Sequence, residues 1–236
     1  MNLFAFAAPI TDHHLVLDYT IVQPEFLAIS IVILLFSVIL HEVMHGYVAL
    51  KFGDTTAQRA GRLTLNPIPH IDLIGTILLP ALILIPAFLT GTPAGPLIAW
   101  AKPVPVNPLN FSNIRKGEFF VSAAGIAANF GLAILAALIY HILNALPQQF
   151  PALVGSVLTF TISINLLLGV FNLVPIPPLD GSKILLSQLS YNLARKYQKL
   201  ERYGFILLIL LVFVFPAPLF IFINFFVSIL SRLLGF

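Results

Sequence analysis

Residues 26–52 read FLAISIVILLFSVILHEVMHGYVALKF, an apolar run with two histidines and a glutamate near its C-terminal end. The run is longer than the roughly 20 residues that an α-helix needs to cross the hydrocarbon core of a bilayer. It is rich in Ile, Val and Leu, and Gly53 follows it as a natural helix stop. We therefore expect one membrane-spanning helix that carries ionisable side chains at membrane depth.

The rest of the chain has the same apolar character. Of its 236 residues 59% are hydrophobic, and nine acidic and twelve basic residues are too few to cover the surface of a soluble globule of this size. Further apolar runs extend from Phe119 to about Leu146, from Leu153 to about Leu173 and from Gly204 to Leu230. The last run contains Pro216 and Pro218, so it predicts either one kinked helix or two shorter pieces.

These runs predict an all-α polytopic membrane protein with about five to six transmembrane or re-entrant segments and a short extended, β-like loop. Residues 1–25 contain an apolar run too short to span, and we expect them to form an N-terminal segment at the membrane interface. Residues 26–203 are expected to form the catalytic membrane core, and residues 204–236 the C-terminal membrane segments.

The basic residues predict the orientation in the membrane, because short cytoplasmic loops are enriched in Lys and Arg. Three loops are basic, at 51–70, 101–118 and 175–203. Residues 1–25 and the turn at 144–153 contain no Lys or Arg. If the basic loops lie inside, the proline-rich residues 71–100 must start and end on the cytoplasmic side as a re-entrant or doubled-back segment. A simple crossing is the alternative.

The HEVMH motif is the main candidate for chemistry. His41 and His45 are four residues apart, so on a helix they lie on one face and both reach a single metal ion. Zinc held by imidazoles lowers the pKa of a bound water to roughly 7, and the adjacent Glu42 carboxylate is placed to take its proton. A five-residue pattern of this kind also arises by chance. Its position in an apolar run favours a bound cation, because an unpaired carboxylate there costs several kcal/mol.

A catalytic zinc usually takes a third protein ligand, which must come from elsewhere in the chain. The chain has no cysteine, so this ligand must be a nitrogen or an oxygen. Asp180 is the only acid between Glu118 and Glu201, and it follows a predicted span within the proline-rich stretch NLVPIPPLDG, residues 172–181. Asp is also a common helix N-cap, and a helix beginning at Ser182 is the alternative explanation. The residues alone leave both roles open.

HEVMH at 41–45 and NLVPIPPLDG at 172–181, in this order, resemble the two signatures of the site-2 protease family of intramembrane zinc metalloproteases. GRLTLNPIPHIDLIGTILLP at 61–80 and WAKPVPVNP at 100–108 are similar to its small prokaryotic branch, which lacks PDZ and CBS domains. The resemblance covers about residues 26–203. It implies one zinc ion per chain held by His41, His45 and Asp180, with Glu42 as the catalytic base and Asn172 positioning or polarising the scissile carbonyl.

The resemblance also implies that residues 100–108 form a strand-like loop that aligns an unwound substrate, whereas a plain rigid loop is the alternative. An extended edge is suited to pair with a substrate by strand addition. One departure from the family is Leu73, where relatives often have proline, and it affects only the local turn. For Asn129, Asn165 and His70 we expect structural roles, because polar groups in spans seek partners across helices.

The predicted function is hydrolysis of peptide bonds in or near transmembrane segments of membrane proteins, with the substrate segment and the lipid bilayer as partners. A membrane metal-ion transporter is the second hypothesis, and an inactive homologue that only binds membrane proteins is the third. Nucleic acid is not an expected partner, because the net charge of +3 is spread over loops. We expect an integral protein of a prokaryotic cell membrane with its site toward the cytoplasm.

Overall fold

A computed structural model describes residues 24–90 and 100–236, and every regular element within those residues is helical. The α-helices are α1 Pro24–Lys51, α2 Thr56–Arg59, α3 Leu79–Thr90, α4 Ile114–Ala145, α5 Ala152–Leu173, α6 Asp180–Gln188, α7 Tyr191–Glu201, α8 Gly204–Ile209 and α9 Pro216–Leu233. A π-helical turn at Leu73–Leu78 leads into α3, and a second at Leu210–Val214 continues α8. Residues 1–23 of the predicted interfacial segment lie outside the described residues.

Among the described residues, four helical stretches are long and apolar enough to cross a membrane, namely Ala28–Lys51, Ile114–Ala145, Ala152–Leu173 and Pro216–Leu233. Two shorter apolar helices, Leu73–Leu82 and Gly204–Val214, accompany them. The all-α polytopic membrane fold is therefore confirmed.

Helix α4 lies at the centre of the bundle and packs against α1, α5 and α6, and α5 packs in turn against α9. Its buried positions are mostly small, so neighbouring helices approach closely. Toward its C-terminal end, Ala133, Ala136 and Ala137 contact Ile162 and Leu166 of α5 in a fully apolar cluster. The other end of α4 carries the polar residues that form the candidate site.

Residues 71–100 return to the place where they begin. Trp100 N–H donates to Gly75 O at 3.2 Å, and Lys102 N–H donates to His70 O at 2.9 Å. Thr76 Oγ1 donates to Trp100 O at 2.8 Å. Both ends of the segment thus meet, as the predicted doubled-back arrangement requires, although residues 91–99 lie outside the described part of the chain.

One predicted boundary differs from the structure, and one alternative that the sequence left open is decided. Helix α4 begins at Ile114 instead of Phe119, because the Asn113 side chain accepts from Lys116 N–H at 2.9 Å and caps an additional charged turn. The last apolar run is two pieces, because Pro216 opens α9. Proline is well tolerated in the first helical turn, where its missing N–H needs no partner.

Candidate metal centre

Helix α1 carries His41 and His45 on its buried face, with their Nε2 atoms 2.9 Å apart. His45 Nδ1 lies 2.6 Å from the carbonyl oxygen of Val121 in α4. His41 Nδ1 lies 2.6 Å from Oδ1 of Asn129, also in α4. Because a carbonyl oxygen only accepts, the proton of a neutral His45 is on Nδ1. Its Nε2 therefore presents a lone pair toward His41.

The carboxylate of Asp180 approaches both imidazoles. Its Oδ2 lies 3.0 Å from His41 Nε2 and 3.1 Å from His45 Nε2. Helix α6 begins at Asp180 itself, with Leu179 at the N-cap position and no capping hydrogen bond from a side chain. The interpretation of Asp180 as an N-cap is therefore wrong, and its side chain belongs to the cluster around the two histidines.

The residues present fit a metal ion. Asp180 Oδ2 is buried and has no hydrogen-bond partner among the described residues, although it lies beside two imidazole nitrogens. Three lone-pair atoms at this separation repel one another unless a cation lies between them. Ligands about 2.1 Å from a tetrahedral zinc stand about 3.4 Å apart, close to the observed 2.9–3.1 Å. Two imidazole nitrogens and one carboxylate oxygen are also a donor set of catalytic zinc sites.

Glu42 lies beside this cluster and contacts the loop that follows residue 100. Val104 N–H donates to Glu42 Oε2 at 2.8 Å. A carboxylate oxygen of Glu42 and one ring nitrogen each of His41 and His45 lie within 4.8 Å of one another. The backbone thus fixes the orientation of a carboxylate placed within reach of a water molecule between it and the histidines.

A cavity of about 470 Å³ opens over these residues and is lined by the two histidines, Glu42, Asp180 and Asn172. Asn172 Nδ2 donates to Leu168 O at 3.0 Å, within its own helix. An amide nitrogen carries two N–H groups, so a second donor remains. The wall also contains charged side chains, Glu118, Lys183 and Glu201.

The loop at residues 100–107 forms one wall of this cavity through Pro103, Val104 and Val106. It contains no β-strand, so the predicted β-like loop is an irregular segment whose backbone is held by side chains. The buried Arg62 donates through Nη2 to Lys102 O at 2.7 Å. Arg62 stands in the predicted basic loop at 51–70, so this loop carries buried side chains that fix the cavity wall.

Asp54 is the second anchor of the loop at 100–107, and its side chain has no exposed surface. It accepts from Asn107 N–H at 2.7 Å through Oδ2. Its Oδ1 accepts from Asn110 Nδ2 at 2.8 Å, from Thr56 N–H at 3.1 Å and from the Thr56 hydroxyl. Burial alone would raise the pKa of Asp54, but these donors stabilise the charged form and hold the pKa below its usual value.

Replacing Asp54 by Asn should lower the thermal unfolding midpoint by several degrees at neutral pH. One amide oxygen cannot serve both sets of donors, so an N–H group would face Asn107 N–H or the Thr56 side. Leaving a buried donor unpaired costs about 1–3 kcal/mol. Asp72→Asn is the matched control, because Asp72 accepts from Ile74 and Gly75 N–H through Oδ1 alone. Equal midpoints for the two variants would contradict the role given to Asp54.

Sequence reasoning did not assign two residues of α4 to the site. A structural role was expected for Asn129, but it also contacts His41 directly. A Cβ atom added at Gly125 would lie 2.6 Å from ring atoms of both His41 and His45. The signal available was the four-residue spacing of Gly125 and Asn129, which places both on one helix face.

Comparison with known proteins agrees with this geometry. The sequence model of peptidase family M50 matches residues 148–215, which contain Asn172 and Asp180. A Bacillus subtilis (strain 168) protein named "Putative zinc metalloprotease YwhC" is 38% identical over 193 residues, which is 80% of each chain. The chain belongs to peptidase family M50, the site-2 protease family. By this membership the M50 protein is a zinc metalloprotease and an integral membrane protein.

Two further relatives of this M50 chain are more distant. "Putative zinc metalloprotease Rip2" of Mycolicibacterium smegmatis is 30% identical over 178 residues, which is 75% of this chain and 64% of that protein. "Zinc metalloprotease MJ0392" of Methanocaldococcus jannaschii is 27% identical over 166 residues, which is 70% of this chain and 35% of that protein. No solved structure matches the chain with statistical significance. Zinc is the cofactor that the M50 family and the donor set both support.

Proposed function

We propose that this protein is an intramembrane protease that hydrolyses peptide bonds in or near transmembrane segments of other membrane proteins. One observation carries the proposal. Three donor atoms, from His41, His45 and Asp180, converge within 3.1 Å of one another inside an apolar helix bundle. These three residues would hold one zinc ion, with the cavity beside it left for water and substrate.

The depth of the centre supports cleavage within the membrane. His41 stands ten residues before Lys51, the end of α1, and a helix rises 1.5 Å per residue. The centre therefore lies about 15 Å from the end of a membrane-spanning helix, against a hydrocarbon thickness of about 30 Å. A peptide bond must enter the apolar layer to reach it.

Glu42 would act on the attacking water, and Asn172 would act on the scissile carbonyl. A bound zinc would lower the pKa of a water to about 7 and would polarise the substrate carbonyl. Glu42, held through Oε2 by Val104 N–H, would act as the base that takes a proton from the attacking water and returns it to the leaving amine. Asn172 lines the same cavity and uses its second N–H to donate to the scissile carbonyl oxygen.

The loop at 100–107 would align the substrate. A protease needs an extended peptide, so a transmembrane helix must unwind before it is cut. Val104 and Val106 line the cavity, while Arg62 and Asp54 bind the same loop from the adjoining segment. An anchored irregular segment beside the reacting groups offers an edge to which an unwound substrate can pair.

The orientation of the site follows from the three basic loops. The C-terminal ends of α1 and α5 and the N-terminal end of α4 adjoin these loops, and the site residues lie near those ends. Short basic loops favour the cytoplasmic side. The proposal therefore has the cavity open to the cytoplasm of a prokaryotic cell, as the predicted localisation states.

The purified protein in detergent should contain about one zinc per chain and should cleave a single-span substrate. A chelator should inhibit this cleavage reversibly. Asp180→Ala should lose both zinc and cleavage, because two imidazoles alone bind zinc weakly. Asp72→Asn, a change at a partly exposed turn, should keep both. A zinc-loaded wild-type protein that cleaves no membrane substrate would contradict the proposal, and zinc flux into liposomes would favour the transporter hypothesis.

A further inference from the structure

A line of buried side chains connects three helices to the metal centre. Asn165 of α5 donates through Nδ2 to Ser37 Oγ and to Thr161 O, both at 2.9 Å. Asn129 of α4 donates through Nδ2 to Asn165 Oδ1 at 3.0 Å. Asn129 Oδ1 in turn lies 2.6 Å from His41 Nδ1. Asn129 and Asn165 have no exposed surface, so water does not compete for these bonds.

The chemistry of the donors and acceptors gives this line one direction. Thr161 O is a backbone carbonyl and only accepts, so the side of the Asn165 amide that faces it must be the NH₂ group. Asn165 Oδ1 then faces Asn129, which must present its own NH₂ group. Asn129 Oδ1 is left facing His41, and an oxygen of this kind requires a proton on Nδ1 of a neutral imidazole.

We propose that Asn165 and Asn129 are positioning residues that fix the tautomer of His41, with Asn165 selecting the orientation of the Asn129 amide. Placing the His41 proton on Nδ1 leaves the Nε2 lone pair directed at His45 and Asp180. This inference rests on the proposed zinc site. It assigns a metal-related role to two asparagines in the spans, beyond holding the helices together.

The two histidines differ in what fixes their tautomers, which is a backbone carbonyl for His45 and a side-chain amide for His41. His45 faces the carbonyl of Val121, which accepts in every orientation of the surrounding side chains. His41 faces the side-chain amide of Asn129, whose oxygen and NH₂ group are similar in size. A 180° rotation of this amide would therefore cause no clash. A reversed Asn129 would direct its NH₂ group at His41 Nδ1 and move the proton to Nε2, where it blocks metal binding. Asn165 prevents this reversal, because its carbonyl oxygen needs a donor from Asn129.

The test is a double-mutant cycle read out as zinc affinity, measured by chelator competition on the purified full-length chain. Asn165→Leu should weaken zinc binding about 10–100-fold, the range found for groups that orient metal ligands. Asn129→Asp should retain affinity within a few-fold of wild type, because both carboxylate oxygens accept from His41. In the Asn129→Asp background, Asn165→Leu should cause no further loss, because no amide remains to be oriented.

Two additional measurements separate this role from helix packing. The Co²⁺-substituted Asn165→Leu protein should show an altered ligand-field spectrum, and the thermal midpoint of the metal-free protein reports packing alone. Ser30→Ala is the control, because it removes a buried polar atom of α1 that has no hydrogen-bond partner in the described part of the chain. It should leave zinc affinity unchanged. If Asn165→Leu does not fold, Asn165→Ala enters the same cycle.

Two results would overturn the inference: wild-type zinc affinity in the Asn165 variant, or an equal loss of affinity in both backgrounds of the cycle. The second result would show that packing, not amide orientation, is responsible. A wild-type protein that binds no zinc would instead contradict the proposed function. The two failures are therefore distinguishable in one set of samples.

Discussion

Replacing Glu42 by Gln leaves the zinc content at the wild-type value and lowers the cleavage rate of a membrane substrate by at least about 100-fold. The amide has the size of the carboxylate, and its oxygen still accepts from Val104 N–H, so the cavity wall keeps its position. An amide does not take up the proton of a metal-bound water at neutral pH. Single-turnover cleavage in detergent, with metal analysis on the same samples, measures both quantities.

Glu25→Gln is the matched control for this variant, because it is the same substitution in the first turn of α1, at the opposite end from the site. It should cleave at the wild-type rate. Cleavage by Glu42→Gln at the wild-type rate would remove Glu42 from the mechanism. Loss of zinc together with activity would instead identify Glu42 as a metal ligand alongside His41 and His45. One ligand atom of each of these three residues lies within 4.8 Å of the others, which also allows this arrangement.

The local motif was predictable because helical spacing alone brings His41 and His45 to one face. The residues alone did not predict the role of Asp180, because an Asp before a short polar helix fits a cap equally well, and only the fold brings α6 beside α1 through α4. Only the family resemblance at residues 172–181 implied it as a ligand. The structure places the start of α6 at Asp180 and its carboxylate within 3.1 Å of both imidazoles, which argues against the cap and supports the proposed role as a ligand.

The polar residues outside the motif were harder to interpret, for two physical reasons. Asp54, Arg62 and His70 stand in a stretch of turns and charges that has the composition of a solvated loop, yet all three are buried. Arg62 contacts Lys102, 40 residues later, and Asp54 contacts Asn107, 53 residues later, and local patterns do not show such contacts. Asn129 and Asn165 were recognised as polar groups that need partners in a span, but which partners they meet depends on the rotation of three helices.

Replacing Gly125 by Ala should disrupt the metal centre more than any other single methyl group added to α4. The new Cβ would lie 2.6 Å from His41 Cε1 and Nε2 and from His45 Cε1, closer than non-bonded carbon and nitrogen atoms approach. Both rings are held from behind by hydrogen bonds through Nδ1, so relief requires α4 and α1 to separate or the rings to rotate away. A misplacement of about 1 Å in a catalytic group costs about 100-fold in rate.

Gly131→Ala provides the comparison, because an added Cβ there meets no atom of the described residues within 4 Å. The substitution lies in the same helix and brings the same gain in helix propensity. We expect Gly131→Ala to retain zinc and cleavage, whereas Gly125→Ala should lose at least about 100-fold in cleavage rate and bind zinc more weakly. Isothermal metal titration and single-turnover cleavage on the two variants measure the difference. Equal behaviour would show that α4 does not press on the histidines, and would remove the close helix contact on which the Asn129 contact to His41 also depends.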